Sequence, residues 1–119
     1  MTALKLYFKL LWYFKTPFII LLDLKYKLAS LAWDIPTILN LSEYGTYTKD
    51  YYDCDDYAFN LKHEANEKQL NSIGVIVGWC NGWHMWNVAV CDMGIHQIEP
   101  QNKMIFKKLK GYIPLVVIV

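Results

Sequence analysis

The spacing of hydrophobic residues predicts helices in the first part of the chain. Near the start, one set of residues follows the spacing of three or four that places side chains on one face of a helix: Leu4, Tyr7, Phe8, Leu11, Trp12 and Lys15. Lys5 and Lys9 fall on another face of this helix. Further along, the carboxylates of Asp53 and Asp56 have the spacing of a capping box. We therefore expect a helix that begins at Asp53 and turns one face toward the core, with Cys54, Ala58, Leu61 and Ala65 on that face.

After residue 72 the pattern changes to that of β-strands. Asn81-Gly82 between two β-rich runs predicts a hairpin, and the second run alternates so that His84 and Trp86 share a face. A turn at residues 92–94 predicts that residues 95–99 pair back, and residues 112–119 form a final apolar strand. Helices followed by an antiparallel meander indicate an α+β fold, with the N-terminal helices packed on an antiparallel β-sheet.

Composition narrows the class of protein. The 119 residues fit one domain over residues 1–119, and the 55% of hydrophobic residues exclude intrinsic disorder. The net charge of +1 and the absence of arginine exclude a dedicated nucleic-acid binder. Three cysteines are too few for a disulfide framework, so we expect a reducing compartment. No zinc-ligand spacing is present, and we expect neither metal nor cofactor.

Three residues stand in an order that suits thiol chemistry. Cys54 opens a helix, which favours its thiolate, and His84 on a strand offers a base and acid for acyl transfer. Glu99 on the neighbouring strand is placed to orient the imidazole. The backbone N–H of Cys54 is a natural oxyanion donor, and Tyr44, Tyr47 or Trp83 is a candidate for the second donor.

Residues 51–101 resemble the transglutaminase-like branch of the papain-type cysteine enzymes. The resemblance rests on "YDCDDYAFNL" and "GVIVGWCNGWHMWNVAVCDMGIHQIEPQ", which are also similar to small phage-encoded proteins of this type. The matching positions are Cys54 with Ala58, His84 with Trp86, and Glu99 with Pro100, where Glu replaces the family's usual Asp.

The resemblance implies a papain-like fold and a thiol-dependent hydrolase or acyltransferase that acts on a protein or peptide. Cys54 would be the nucleophile, His84 the base and Glu99 the orienting carboxylate, and we place Trp83, Trp86 and Tyr47 around the substrate. We expect a cytoplasmic protein, in the host cytoplasm if it is phage-encoded. The sequence does not determine the oligomeric state.

Three alternatives remain open. The carboxylates around Cys54 favour a neutral thiol, which suits an inactive module of the same fold that binds a host component. A metal site could instead use Asp53, Asp55, Asp56, His63 and His84, although no calcium-binding loop is present. Residues 4–33 could contact a membrane surface, which we do not favour.

Overall fold

The computed structural model describes residues 1–41 and 53–119. Its helices are α1 (Ala3–Phe14), α2 (Asp34–Leu41) and α3 (Cys54–Glu67). Its strands are β1 (Ile19–Ile20), β2 (Ile73–Trp79), β3 (Trp83–Cys91), β4 (Gly94–Glu99), β5 (Met104–Phe106) and β6 (Ile113–Ile118). The strands form one sheet in the order β1-β6-β2-β3-β4-β5.

Local signals explain where the main elements begin and turn. At the start of α3, the Asp53 N–H donates to Asp56 Oδ2 at 3.1 Å and the Asp53 side chain accepts from the Asp56 N–H, which confirms the predicted capping box. The predicted hairpin at Asn81 and Gly82 is also confirmed, because both residues have positive φ and join β2 to β3.

Helices cover both faces of the sheet. On one face, Leu6 and Leu10 of α1 pack against a row that includes Trp86 and Val88 of β3. On the other face, α2 and α3 pack against the alternate row of β3, with Leu61 and Ala89 among the buried contacts. Successive residues of β3 therefore face different helices, as the period of two requires.

This architecture corrects the predicted arrangement of helices on a wholly antiparallel sheet. The sheet is mixed, because β1 pairs with β6 in parallel, with Ile19 opposite Val117. The final strand β6 lies inside the sheet between β1 and β2. A strand of two residues leaves no alternation to detect in a sequence, and alternation alone does not show which helix covers which face.

Candidate functional site

A polar network lies where β3 begins and β4 ends. The antiparallel pairing of β3 and β4 brings His84 beside Glu99, and His84 Nε2 shares a short hydrogen bond with Glu99 Oε1. The Tyr112 hydroxyl donates to the same carboxylate oxygen at 3.0 Å, and the Gln101 N–H donates to Glu99 Oε2 at 3.3 Å. Glu99 is buried and His84 half-buried, so this carboxylate is held by donors from three parts of the chain.

Aromatic rings enclose the network. Trp86 lies parallel to the His84 ring, with centroids 5.6 Å apart, and Tyr112 meets both rings edge-on. The Trp86 indole N–H donates to Gln97 Oε1 at 2.8 Å. Burial raises the pKa of Tyr112, and the Glu99 carboxylate and the Cys80 thiol raise it further. The Tyr112 hydroxyl therefore keeps its proton as a donor to Glu99 at neutral pH.

Cys54 lies in the first turn of α3, which packs on the opposite face of the sheet. Asn87 joins this helix to β3, because its Nδ2 donates to Ala58 O at 2.8 Å. His84 precedes Asn87 by three positions, so its side chain points to the other face. Among the described residues there is no hydrogen bond between Cys54 and either His84 or Glu99. The structure thus brings His84 and Glu99 together without a thiol–imidazole bond.

The other predicted binding residues have different environments. Trp86 is fully buried below His84, whereas Trp83 is 71% exposed and meets Trp79, itself 45% exposed, at 5.7 Å between centroids. Trp83 also borders a groove of about 450 Å³. Tyr47 and the alternative donor Tyr44 lie outside the described residues.

The residues of the metal alternative do not assemble into one site. The carboxylates of Asp53, Asp55 and Asp56 lie within 4.8 Å of one another, but Asp53 and Asp56 cap the helix. His63 follows Asp53 by ten residues, which is about 15 Å along the helix axis at a rise of about 1.5 Å per residue. Its Nε2 pairs with Glu67 Oε1 at 3.1 Å. His84 belongs to the network on the opposite face.

Three further residues belong to the network and were not among the residues predicted from the sequence: Tyr112, Gln97 and Cys80. Tyr112 directly precedes β6, and no local motif connects it to Glu99. It lies beside Glu99 because β6 pairs with β2. Gln97 carries a weak signal, since it alternates with Glu99 on one face of β4. Cys80 follows β2 and interacts with the Tyr112 hydroxyl.

Comparison with known proteins identifies the fold. No protein-family model matches the chain, and no curated protein sequence is significantly similar to it. A structure of PSL1a in complex with E64 matches all of this chain and 50% of its own, with a TM-score of 0.82 and 20% identity. Polyporus squamosus lectin bound to the human-type influenza-binding epitope Neu5Acα2-6Galβ1-4GlcNAc matches with a TM-score of 0.83 and 19% identity.

The chain spans about half the length of these two chains, and identities near 20% establish a shared fold alone. The matches nevertheless correct the expectations that the sequence resemblance had supplied. We predicted a papain-like fold of the transglutaminase-like type, and the matching structure shows instead the fold of part of a lectin chain. The expected thiol-dependent hydrolase or acyltransferase and the inactive module of the same family are corrected with it. The expected protein or peptide substrate came from the same resemblance and is withdrawn with it; the matching lectin is itself bound to a glycan.

The resemblance led to the wrong fold because it rested on a few residues in sequence order. A cysteine at a helix start and a histidine on a strand do not specify the face on which each side chain lies. In the described structure the helix of Cys54 and the side chain of His84 lie on opposite faces of β3. We conclude that this chain has the fold of about half of the Polyporus squamosus lectin chain.

Proposed function

We propose that this chain binds a glycan at the tryptophan ledge, which we define as Trp79 and Trp83, the two residues that flank the turn of the β2–β3 hairpin. The observation that carries the proposal is that two exposed indoles, 45% and 71% accessible, contact each other and that one of them, Trp83, lines a groove. The exposed part of each indole gains nothing from the hydrophobic effect of folding. An indole combines a flat apolar face with an N–H donor, which suits the mixed C–H and hydroxyl surface of a sugar ring.

The groove beside the ledge has a suitable size and polarity. Its volume of about 450 Å³ lies within the range of roughly 300–1,000 Å³ for small-ligand sites. Phe18, Pro114 and Leu115 supply apolar walls beside Trp83. Lys15 at its rim supplies a cation that can pair with the carboxylate of an acidic sugar.

The buried network gives the ledge a rigid base. Trp83 directly precedes His84, whose ring is held by Glu99 and Trp86. Binding sites are most precise when their side chains stand on elements fixed by such contacts. We assign His84 and Glu99 this positioning role toward the ledge.

The lectin match supports the ligand class, and calorimetric titration tests it. The probe is Neu5Acα2-6Galβ1-4GlcNAc, the glycan bound by the structural neighbour, with the same glycan lacking sialic acid as comparison. We expect saturable binding that Trp83→Ala weakens at least tenfold, which corresponds to about 1.4 kcal/mol. Lys15→Gln should weaken the sialylated glycan alone.

Trp33→Ala is the matched control, because Trp33 is 77% exposed, directly precedes α2 and does not line the groove beside the ledge. It should leave the affinity unchanged. Absence of saturable binding to any member of a broad glycan array would overturn the proposal. An equal loss of affinity in Trp33→Ala would remove the ledge as the site.

A further inference from the structure

We infer that the outer face of α1, defined as Leu4, Phe8, Leu11 and Trp12, docks on the surface of an anionic phospholipid bilayer. Leu4, Phe8 and Trp12 are 67%, 59% and 86% exposed, and their spacing of four places them in one stripe. Leu11 extends the stripe, and it lines a groove with Phe8 and Trp12. This inference does not depend on the proposed glycan site.

The fold does not account for this apolar stripe. The inner face of α1 already packs on the sheet through Leu6 and Leu10, which are completely buried. A surface helix of a globular protein normally carries polar residues opposite its buried face. Here the opposite face carries aliphatic and aromatic side chains instead, and exposed apolar patches of this kind mark interaction surfaces.

The apolar surface extends beyond the helix. The segment that follows α1 exposes Phe18, Ile20, Leu22 and Leu24 at alternate positions. Its end returns to the start of α1, because the Ala3 N–H donates to Leu24 O at 2.9 Å. The helix and this segment are thus joined by a backbone hydrogen bond, and both expose apolar side chains.

The charges favour an anionic partner. Residues 1–22 contain Lys5, Lys9 and Lys15 but no acidic residue, although the whole chain is almost neutral at +1. Lysines beside a shallow apolar stripe suit a membrane surface, where their ammonium groups meet lipid phosphates and carboxylates. A second copy is a poorer partner, because a twofold contact through this face would oppose the same lysines.

The dimensions fit a helix that lies on the membrane. At a rise of about 1.5 Å per residue, the 12 residues of α1 extend about 18 Å. Among the described residues, no helix has the length and apolar character needed to cross a bilayer. Trp12 and Phe8 would enter the boundary between headgroups and acyl chains, with the helix axis parallel to the surface.

Vesicle flotation of the intact chain tests this inference. One set of vesicles is pure phosphatidylcholine, and the other contains about one third phosphatidylserine. We expect the protein to float with the anionic vesicles, and Phe8→Glu with Trp12→Glu to lower its partition at least tenfold. Lys5→Gln or Lys9→Gln should lower binding to the anionic vesicles about fivefold.

The control is Trp33→Glu, which changes an indole of similar exposure beside α2 and should float as the unaltered protein does. All substituted side chains are exposed, and circular dichroism verifies that each variant is folded. The inference fails if the intact chain does not float with anionic vesicles or if Trp33→Glu loses as much binding. A dimer that Trp12→Glu dissociates in sedimentation would instead assign the face to a second copy. Retained glycan binding in the Trp12 variant separates this surface from the ledge.

Discussion

Replacement of Asn87 tests the junction that holds α3 against the sheet. Its side chain is fully buried, and Nδ2 donates to Ala58 O of α3 at 2.8 Å and to Gly74 O of β2 at 2.9 Å. Its Oδ1 is buried and has no hydrogen-bond partner among the described residues. This one amide therefore connects three elements while leaving its own acceptor unsatisfied.

The magnitude follows from these contacts. Asn87→Ala removes two hydrogen bonds worth about 1 kcal/mol each and leaves a small cavity that costs about 1 kcal/mol more. Removing the unsatisfied Oδ1 offsets about 1 kcal/mol. We expect the free energy of unfolding to fall by about 2 kcal/mol.

Asn87→Asp should cost more at neutral pH, because its carboxylate would face two carbonyl oxygens without a donor. Burial raises the pKa of such a carboxyl in the folded state, so the folded protein retains a proton that the unfolded chain releases. Its stability then decreases as pH rises above about 4, where an unfolded aspartate ionises. The deficit should be larger at pH 7 than at pH 4.

Urea unfolding followed by circular dichroism measures both variants, with an unchanged slope as evidence of two-state behaviour. Asn66→Ala on the exposed side of α3 is the control and should change stability by less than about 0.5 kcal/mol. Equal stability of Asn87→Ala and the unaltered protein would show that this junction does not stabilise the fold. The same loss of stability in Asn87→Asp at pH 4 and pH 7 would contradict a raised pKa for the new carboxyl.

Three further predictions concern titratable side chains. Glu99→Gln should lower the free energy of unfolding by about 2 kcal/mol, because His84 and Tyr112 lose a carboxylate acceptor. Urea unfolding measures this loss, and equal stability of the variant and the unaltered protein would contradict the prediction. Since the pKa of Tyr112 is raised, folded protein should lose stability as pH rises above the ordinary value of 10.0, and Tyr112→Phe should make that alkaline loss shallower in thermal melts. Burial and two nearby aspartates raise the pKa of Cys91 to about 11. Alkylation of the native protein at pH 8 should therefore modify Cys91 at least about 100-fold more slowly than the half-buried Cys54, and peptide mass spectrometry measures both rates. Similar rates for these cysteines would contradict the burial of Cys91.

Features that depend on a few neighbouring residues can be predicted from the sequence alone. The helix start at Asp53 follows from a capping box, and the turn at Asn81-Gly82 follows from residues that tolerate positive φ. The pairing of β3 with β4 follows from a short turn between them, which also brings His84 beside Glu99. Each of these features spans a short stretch of chain, so local conformational preference is enough to specify it.

Which elements meet across the sheet depends on tertiary packing. Alternation shows that β3 has two faces, but packing assigns α1 to the face of Trp86 and α3 to the face of Asn87. This assignment places the helix of Cys54 opposite the side chain of His84. Tyr112 reaches Glu99 because β6 inserts beside β2, and the exposed stripe of α1 is recognisable only once the buried face is known. Such contacts join residues distant in sequence and are set by burial, which no local pattern encodes.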